Sequence, residues 1–225
     1  MLRILYGGTF DPVHEGHLAI ARTVAAVLNQ PVSLLPSADP PHRPPPGANA
    51  EQRATMLDLA VGGDALLAVD RRELRRDGPS YTVDTLAEVR EELGPRAAIV
   101  WVLGIDSLVQ LDTWHDWRRI FSLAHVLGVE RPRTSVDRSW LQQQAPAVFA
   151  EVAPRWHAVS ELAGQAAGSY AALSMRPLRT ESATEIRQCI AAGLPWTDKV
   201  PPAVATYIRE TGLYGSGLVG SGQRL

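Results

Sequence analysis

The sequence predicts an α/β fold on a parallel sheet, and three observations carry that prediction. Short apolar runs suited to strands alternate with amphipathic runs at helical spacing along most of the chain. One of them, Ala98-Ile99-Val100-Trp101-Val102-Leu103, is apolar throughout, as a strand covered on both faces must be. Finally, 225 residues at 45% hydrophobic content suffice for one sizeable core. Strands separated by helices join most simply by right-handed crossovers.

The first strand is carried by Leu2, Ile4 and Leu5 and runs into Tyr6-Gly7-Gly8-Thr9-Phe10-Asp11-Pro12-Val13-His14-Glu15-Gly16-His17. Gly7 and Gly8 are expected to free the backbone for a tight reversal. Leu18, Ala21, Val24, Ala25 and Leu28 recur at helical spacing, so His14 and His17 fall at a helix N-terminus. Unpaired backbone N–H groups and the positive dipole end favour an anion there, and two imidazoles add donors. The turn matches neither GxGxxG nor GxxxxGK[ST]; taken singly, its glycines could be an ordinary turn and its histidines a cap.

A second strand spans 32–35. The segment 36–47, too proline-rich for a helix or central strand, reads as a stiff surface loop holding His42 and Arg43. It is either a linker or, leaving a strand's C-terminal end, part of a ligand site. A helix over 51–61 would bury Met56, Leu59 and Ala60, with Arg53 a solvated charge. A third strand at 66–70, a polar loop at 71–79 and a helix from Thr82 with Val83, Leu86, Val89 and Leu93 inward come next. The central strand then empties into Gly104-Ile105-Asp106-Ser107, where Asp106 either caps the following helix or meets a ribose hydroxyl.

Trp117 reads as core beside Ile120 and Phe121, whereas Trp114 either offers its face to a planar ring or packs. A fifth strand at 125–129, a helix at 140–152 and a last strand at 170–175 complete the core. In 180–193, Ser182 and Glu185 have capping-box spacing, and Arg187 on the early turns lies against the dipole unless an anion offsets it. A helix over 202–211 is closed by Gly212. The expected division is a core over 1–178, a small C-terminal helical subdomain over 179–214 and a Gly/Ser-rich disordered tail over 215–225.

A net charge of −2 with pI near 6.3 supplies no basic field for nucleic acid. The single Cys189 forms no internal disulfide. With no signal-like start and no membrane-length apolar run, a cytoplasmic protein without membrane association is expected.

The turn's glycine pair, Thr9, Asp11-Pro12 and H-x-G-H resemble the signature of the HxGH nucleotidyltransferase superfamily. Adding Pro40-Pro41-His42-Arg43, Ser80-Tyr81-Thr82 with Asp84-Thr85-Leu86, Trp114, and Ser182-Ala183-Thr184 with Ile186-Arg187, the chain resembles bacterial nicotinate-nucleotide adenylyltransferases from Leu2 to about Tyr214. The resemblance implies a Rossmann-like doubly wound parallel sheet that joins the adenylyl group of ATP to nicotinate mononucleotide, releasing pyrophosphate, in NAD biosynthesis. It implies Mg²⁺ held mainly by phosphates, with no metal-ligating side chains. His14, His17 and Arg187 are its catalytic candidates. Gly7, Gly8, Thr9, Phe10, Ser37, His42, Arg43, Thr82, Gly104, Asp106, Trp114, Ser182 and Thr184 are its substrate-binding candidates.

Three departures from the family pattern stand out: Ser37 for the usual Asn, Glu181 for an apolar residue, and Ile105 for a small residue, expected to tighten the pocket. Superfamily members with phosphopantetheine, cytidyl or nicotinamide-nucleotide substrates share the first motif. A zinc site at His14, His17 and His42 lacks HExxH spacing and a Cys pair. A non-catalytic nucleotide sensor on this fold remains an alternative, separable by turnover. Oligomeric state is not encoded in any of these features.

Overall fold

The computed structural model describes residues 2–40, 46–130, 137–175 and 180–216. Its elements run β1 (Leu2–Gly8), α1 (Glu15–Leu28), β2 (Val32–Pro36), α2 (Ala50–Val61), β3 (Leu67–Val69), α3 (Thr82–Leu93) and β4 (Ala98–Gly104). There follow the one-turn helices α4 (Ile105–Leu108) and α5 (Ile120–Leu123), then β5 (His125–Val129), α6 (Arg138–Gln144), α7 (Pro146–Val152), β6 (Tyr170–Leu173), α8 (Ala183–Ala191) and α9 (Pro202–Thr211). The six strands are all parallel in the order β3-β2-β1-β4-β5-β6, so the sheet reverses its direction of growth between β1 and β4. This is the Rossmann-like, doubly wound arrangement, and ligands of such sheets bind beyond the strand C-termini at the reversal.

Strand alternation divides the core. Ile4, Tyr6, Val100 and Val102 face a cluster shared with α1, α2, α8 and α9, while Leu5, Ile99, Trp101 and Leu103 face one shared with α3, α5, α6 and α7. Ile186, Ile190, Val204 and Ile208 thus bury their side chains in the same cluster as β1 and α1. No helix among the described residues is long and apolar enough to cross a membrane.

Several expectations need correction. Gly7 and Gly8 make no reversal: both lie in β1, and the left-handed residue of the turn is Phe10 at φ 52°. What the two glycines supply is room, since a Cβ would lie 2.3 Å from the Trp101 ring at position 7 and 3.0 Å from the Phe10 ring at position 8. In α2, Leu59 is 38% exposed and the buried face is Arg53, Ala54, Met56 and Leu57, because Arg53 points inward and sets the helix's rotation. The expected helix over 140–152 is broken at Ala145, where Pro146 cannot donate to the preceding turn and instead starts α7. The loop at 71–79 contains a 3₁₀ turn, Arg72–Arg75, that buries Glu73. Ile105 is fully buried in the core beside Leu108 instead of tightening a pocket.

Candidate active site

The turn after β1 leaves the sheet at its reversal point. His14 is the N-cap of α1 and 1% exposed, and His17 is its third residue. Their rings stack at 3.7 Å between centroids and 26° between planes. The His14 backbone N–H donates to His17 Nδ1 at 3.3 Å, so a neutral His17 carries its ring proton on Nε2. Phe10, 2% exposed, packs edge-on against His17 at 5.0 Å and against Tyr6 at 5.6 Å. Its ring is therefore a buried support for the histidine, and only its backbone can reach a ligand.

Asp11 is the junction the sequence reading overlooked. It is 5% exposed, and its carboxylate accepts from Gly47 N at 2.8 Å, Ala48 N at 3.0 Å and the Tyr214 hydroxyl at 2.6 Å. Arg187 Nη1 lies 3.5 Å from Asp11 Oδ2 and donates to the Asp11 carbonyl, while its Nη2 donates to Thr184 Oγ1 at 3.3 Å. The anion that offsets Arg187's unfavourable place on α8 is therefore, in this structure, Asp11. Burial and the bond to Asp11 both push the Tyr214 hydroxyl's pKa well above its ordinary value, leaving it a donor throughout the working range.

Arg53, expected in solvent, is 1% exposed. It donates to Thr9 O at 2.7 Å, Ala38 O at 3.1 Å and Ala48 O at 3.2 Å, tying together the turn after β1, the loop after β2 and the entry to α2.

Ser182 occupies the N-cap of α8, but its side chain makes no capping bond. Glu185 pairs with Lys199 at 3.2 Å, so the expected capping box is absent. A Cβ on Gly16 would lie 3.1 Å from His14 Nδ1 and 3.3 Å from Glu181 Oε2, which places the start of α8 beside the start of α1. Two helix N-termini thus flank the turn, with Thr184 exposed at its edge.

On the opposite face of the sheet a pocket opens between the strand ends and α3. Gly7, Gly8, Thr9, Ser37, Thr82 and Trp114 line it, as do Ser80 and Tyr81, quoted above only as part of a family motif, and a set that sequence reasoning missed: Glu73, Trp101, Gln110 and His115. Trp114 lines the pocket and is half-buried against the β4 cluster. Thr82 is the first residue of α3, so first-turn amides face this space. Ser80 Oγ accepts from Ala38 N at 2.9 Å and Asp39 N at 3.2 Å, fixing the loop that carries Ser37. Thr85 donates to Glu73 Oε1 at 2.7 Å; burial raises the Glu73 pKa against the lowering effect of its bonds to Thr85 and Ser80. Serines and a glutamate ahead of a helix carry no periodic signal, which is why the pattern did not reveal them.

Gly104 ends β4 and is the N-cap of α4; Asp106 is exposed at the second position of that helix, so it is not the cap. Neither lines the pocket. His42 and Arg43 lie outside the described residues, as does most of the expected tail over 215–225. Among the described residues no three His, Cys, Asp or Glu side chains gather as a metal site.

A reversal-point turn with paired histidines at a helix N-terminus, facing a second helix N-terminus and adjoining a mixed polar and aromatic pocket, defines a nucleotidyltransferase-type site. The cytidylyltransferase-like family model matches residues 5–188. A Stenotrophomonas maltophilia protein named "Probable nicotinate-nucleotide adenylyltransferase" is 49% identical over 96% of this chain and 97% of its own. A Serratia proteamaculans protein of the same name is 41% identical over 95% and 96%. Among solved structures, a Plasmodium falciparum nicotinic acid mononucleotide adenylyltransferase complexed with NaAD is similar at TM-score 0.72 and 16% identity, covering 96% of this chain and 98% of that one. The chain belongs to the nicotinate-nucleotide adenylyltransferase family.

Proposed function

We propose that the chain transfers the adenylyl group of ATP to nicotinate mononucleotide, giving nicotinate adenine dinucleotide and pyrophosphate, in NAD biosynthesis. The observation that carries this reading is the stacked His14–His17 pair at the sheet's reversal point, with the Trp114 and Thr82 pocket adjoining it. The names of its relatives supply the substrates.

The nucleophile is a phosphate oxygen of the mononucleotide, already ionised at neutral pH, so no general base is required. It attacks the α-phosphorus of ATP; the new P–O bond forms as the bond to the β-phosphate oxygen breaks, and pyrophosphate leaves with the electron pair. What remains for the protein is in-line positioning and stabilisation of charge spreading to the leaving group. His17 Nε2–H and the α1 amides donate to the phosphates. His42, Arg43, Ser182 and Arg187 close on the β and γ groups, with residues 179–214 acting as the subdomain that completes the triphosphate side. Arg187 exchanges part of its pairing with Asp11 for phosphate. Thr9 and Phe10 contribute backbone contacts, while Gly104 and Asp106 at the end of β4 face the ribose. Mg²⁺ carried on the triphosphate would supply further charge neutralisation, with phosphate oxygens as its main ligands.

In the pocket the pyridine stacks on Trp114 and its carboxylate meets the α3 amides around Thr82, with Ser37 beside it. Pyrophosphate release with nicotinate mononucleotide, nicotinamide mononucleotide or phosphopantetheine as acceptor tests the assignment. The acid should exceed the amide by about 10²–10⁴ in kcat/KM, since the amide's NH₂ faces donors. Equal use of both mononucleotides, or release with phosphopantetheine alone, overturns it.

A further inference from the structure

The turn after α9 ends on a residue that its own backbone does not favour. Tyr214 sits at φ 59° and ψ 18°, the left-handed region that glycine adopts freely and a bulky side chain does not. Its side chain holds it there: the hydroxyl donates to Asp11 Oδ1 at 2.6 Å, across 203 residues. Ala48 N gives that oxygen a second donor at 3.0 Å, and Gly47 N supplies Oδ2 with one at 2.8 Å. The carboxylate is therefore hydrogen-bonded at both oxygens before Arg187 is considered. Arg187 Nη1 lies 3.5 Å from Oδ2, longer than a charge-assisted hydrogen bond, and donates instead to the Asp11 carbonyl. The arginine side chain is also 32% exposed, against 6% for the aspartate. Asp11 thus orients Arg187 without closing it into a tight buried pair, and the guanidinium stays within reach of an anion.

We propose that Tyr214 is a positioning residue for the triphosphate: its hydroxyl, by holding Asp11, keeps Arg187 available to the phosphates instead of locked to the carboxylate. This rests on the functional reading above, in which Arg187 meets the β and γ groups. Without the hydroxyl, Asp11 Oδ1 keeps a single donor on a residue 5% exposed, where an unmade bond is costly. Arg187 is the charged donor beside it, so its guanidinium moves onto the carboxylate and away from phosphate. The two side chains are neighbours at the end of one loop: a Cβ at Gly47 would lie 2.9 Å from Tyr214 Cε1 and 3.6 Å from Arg187 Cδ. Leu213, 8% exposed, packs in the core cluster shared with α8 and α9, and so fixes the turn that delivers the hydroxyl.

The test is Tyr214→Phe, which keeps the ring and removes only the hydroxyl. Its Kd for ATP, read by calorimetry, should rise about threefold to tenfold, the effect of one lost hydrogen bond, while its Kd for nicotinate mononucleotide stays within about twofold of wild type. A double-mutant cycle with Arg187→Ala separates positioning from general loosening. On that background Tyr214→Phe should change the Kd for ATP by less than about twofold, since no guanidinium is left to be captured. In wild-type protein carrying fluorinated tyrosine, the Tyr214 ¹⁹F resonance, one of five, should move when inorganic triphosphate draws the neighbouring guanidinium away. That spectrum decides the matter if the variant does not fold. In a wild-type protein that binds ATP and turns over the mononucleotide, four results overturn this inference alone: a Kd for ATP unchanged or lowered in Tyr214→Phe, an equal rise for the mononucleotide, the same fold-change on the Arg187→Ala background, or a Tyr214 resonance indifferent to triphosphate. A wild-type protein that neither binds ATP nor turns over nicotinate mononucleotide overturns the functional reading and this one with it.

Discussion

Replacing Arg53 by methionine removes a buried cation while keeping most of the side-chain volume. Three carbonyls, Thr9 O, Ala38 O and Ala48 O, lose a charged donor. Bonds to a charged group contribute about 1.5–3 kcal/mol each, so three independent losses would reach roughly 5–9 kcal/mol. Water entering from the adjoining pocket and relaxation of the loops recover part of this. The expected destabilisation is about 3–5 kcal/mol, the usual cost of breaking one side of a buried charged network. For a chain of 225 residues that lowers Tm by about 6–20 °C. The control is Arg71→Met, whose ion pairs with Glu51 and Asp58 are solvent-exposed and should cost under about 1 kcal/mol. Thermal and urea unfolding of both variants, followed by circular dichroism, measure the difference. If Arg53→Met melts within about 2 °C of wild type or no lower than Arg71→Met, the three carbonyls are not held as described.

Three further outcomes follow from the same geometry. His17→Ala should lower kcat by about 10²–10³ while the protein stays folded, because one preorganised donor to transition-state charge is lost; near-full turnover in a folded variant refutes that role. Tyr170→Phe should leave stability unchanged or raise it by about 0.5–2 kcal/mol, since the Tyr170 hydroxyl is buried without a partner among the described residues, and a clear loss of stability in urea titration would show that it has one. His125 is fully buried, with Nε2 against Gln165 O and Nδ1 accepting from Ser169 N, so burial first, and the Arg90 and His157 charges after it, lower its pKa below 6.5. Below about pH 6.5 the unfolded chain then binds the proton more readily, so stability is whole above that pH and falls beneath it by up to about 1.4 kcal/mol per pH unit; a His125→Gln variant should flatten that slope, and an unchanged slope refutes the assignment.

The sequence by itself determined the parallel α/β sheet, the placing of β1, α1, α3 and β4, and the histidines at a helix N-terminus. Each of these is local: strand and helix periodicities repeat within a few residues, and a histidine's place at a helix start is settled by the next two turns. Thr82 was placed at a helix start by periodicity and Trp114 was one of two open readings, but their assignment to a substrate site, like that of Ser37, came from resemblance to the family. Only the tertiary structure decided where the buried polar groups find their partners. Arg53 reads as solvated from its helix alone; its carbonyl partner on Thr9 is 44 residues away. Asp11 looks like an ordinary turn aspartate until Tyr214, 203 residues on, and Arg187, 176 residues on, arrive to share it. Ser182 and Glu185 had the spacing of a cap, but Lys199 drew Glu185 away. A buried polar group is satisfied by whatever the fold brings to it, and that partner is set by how the elements pack, not by neighbours along the chain.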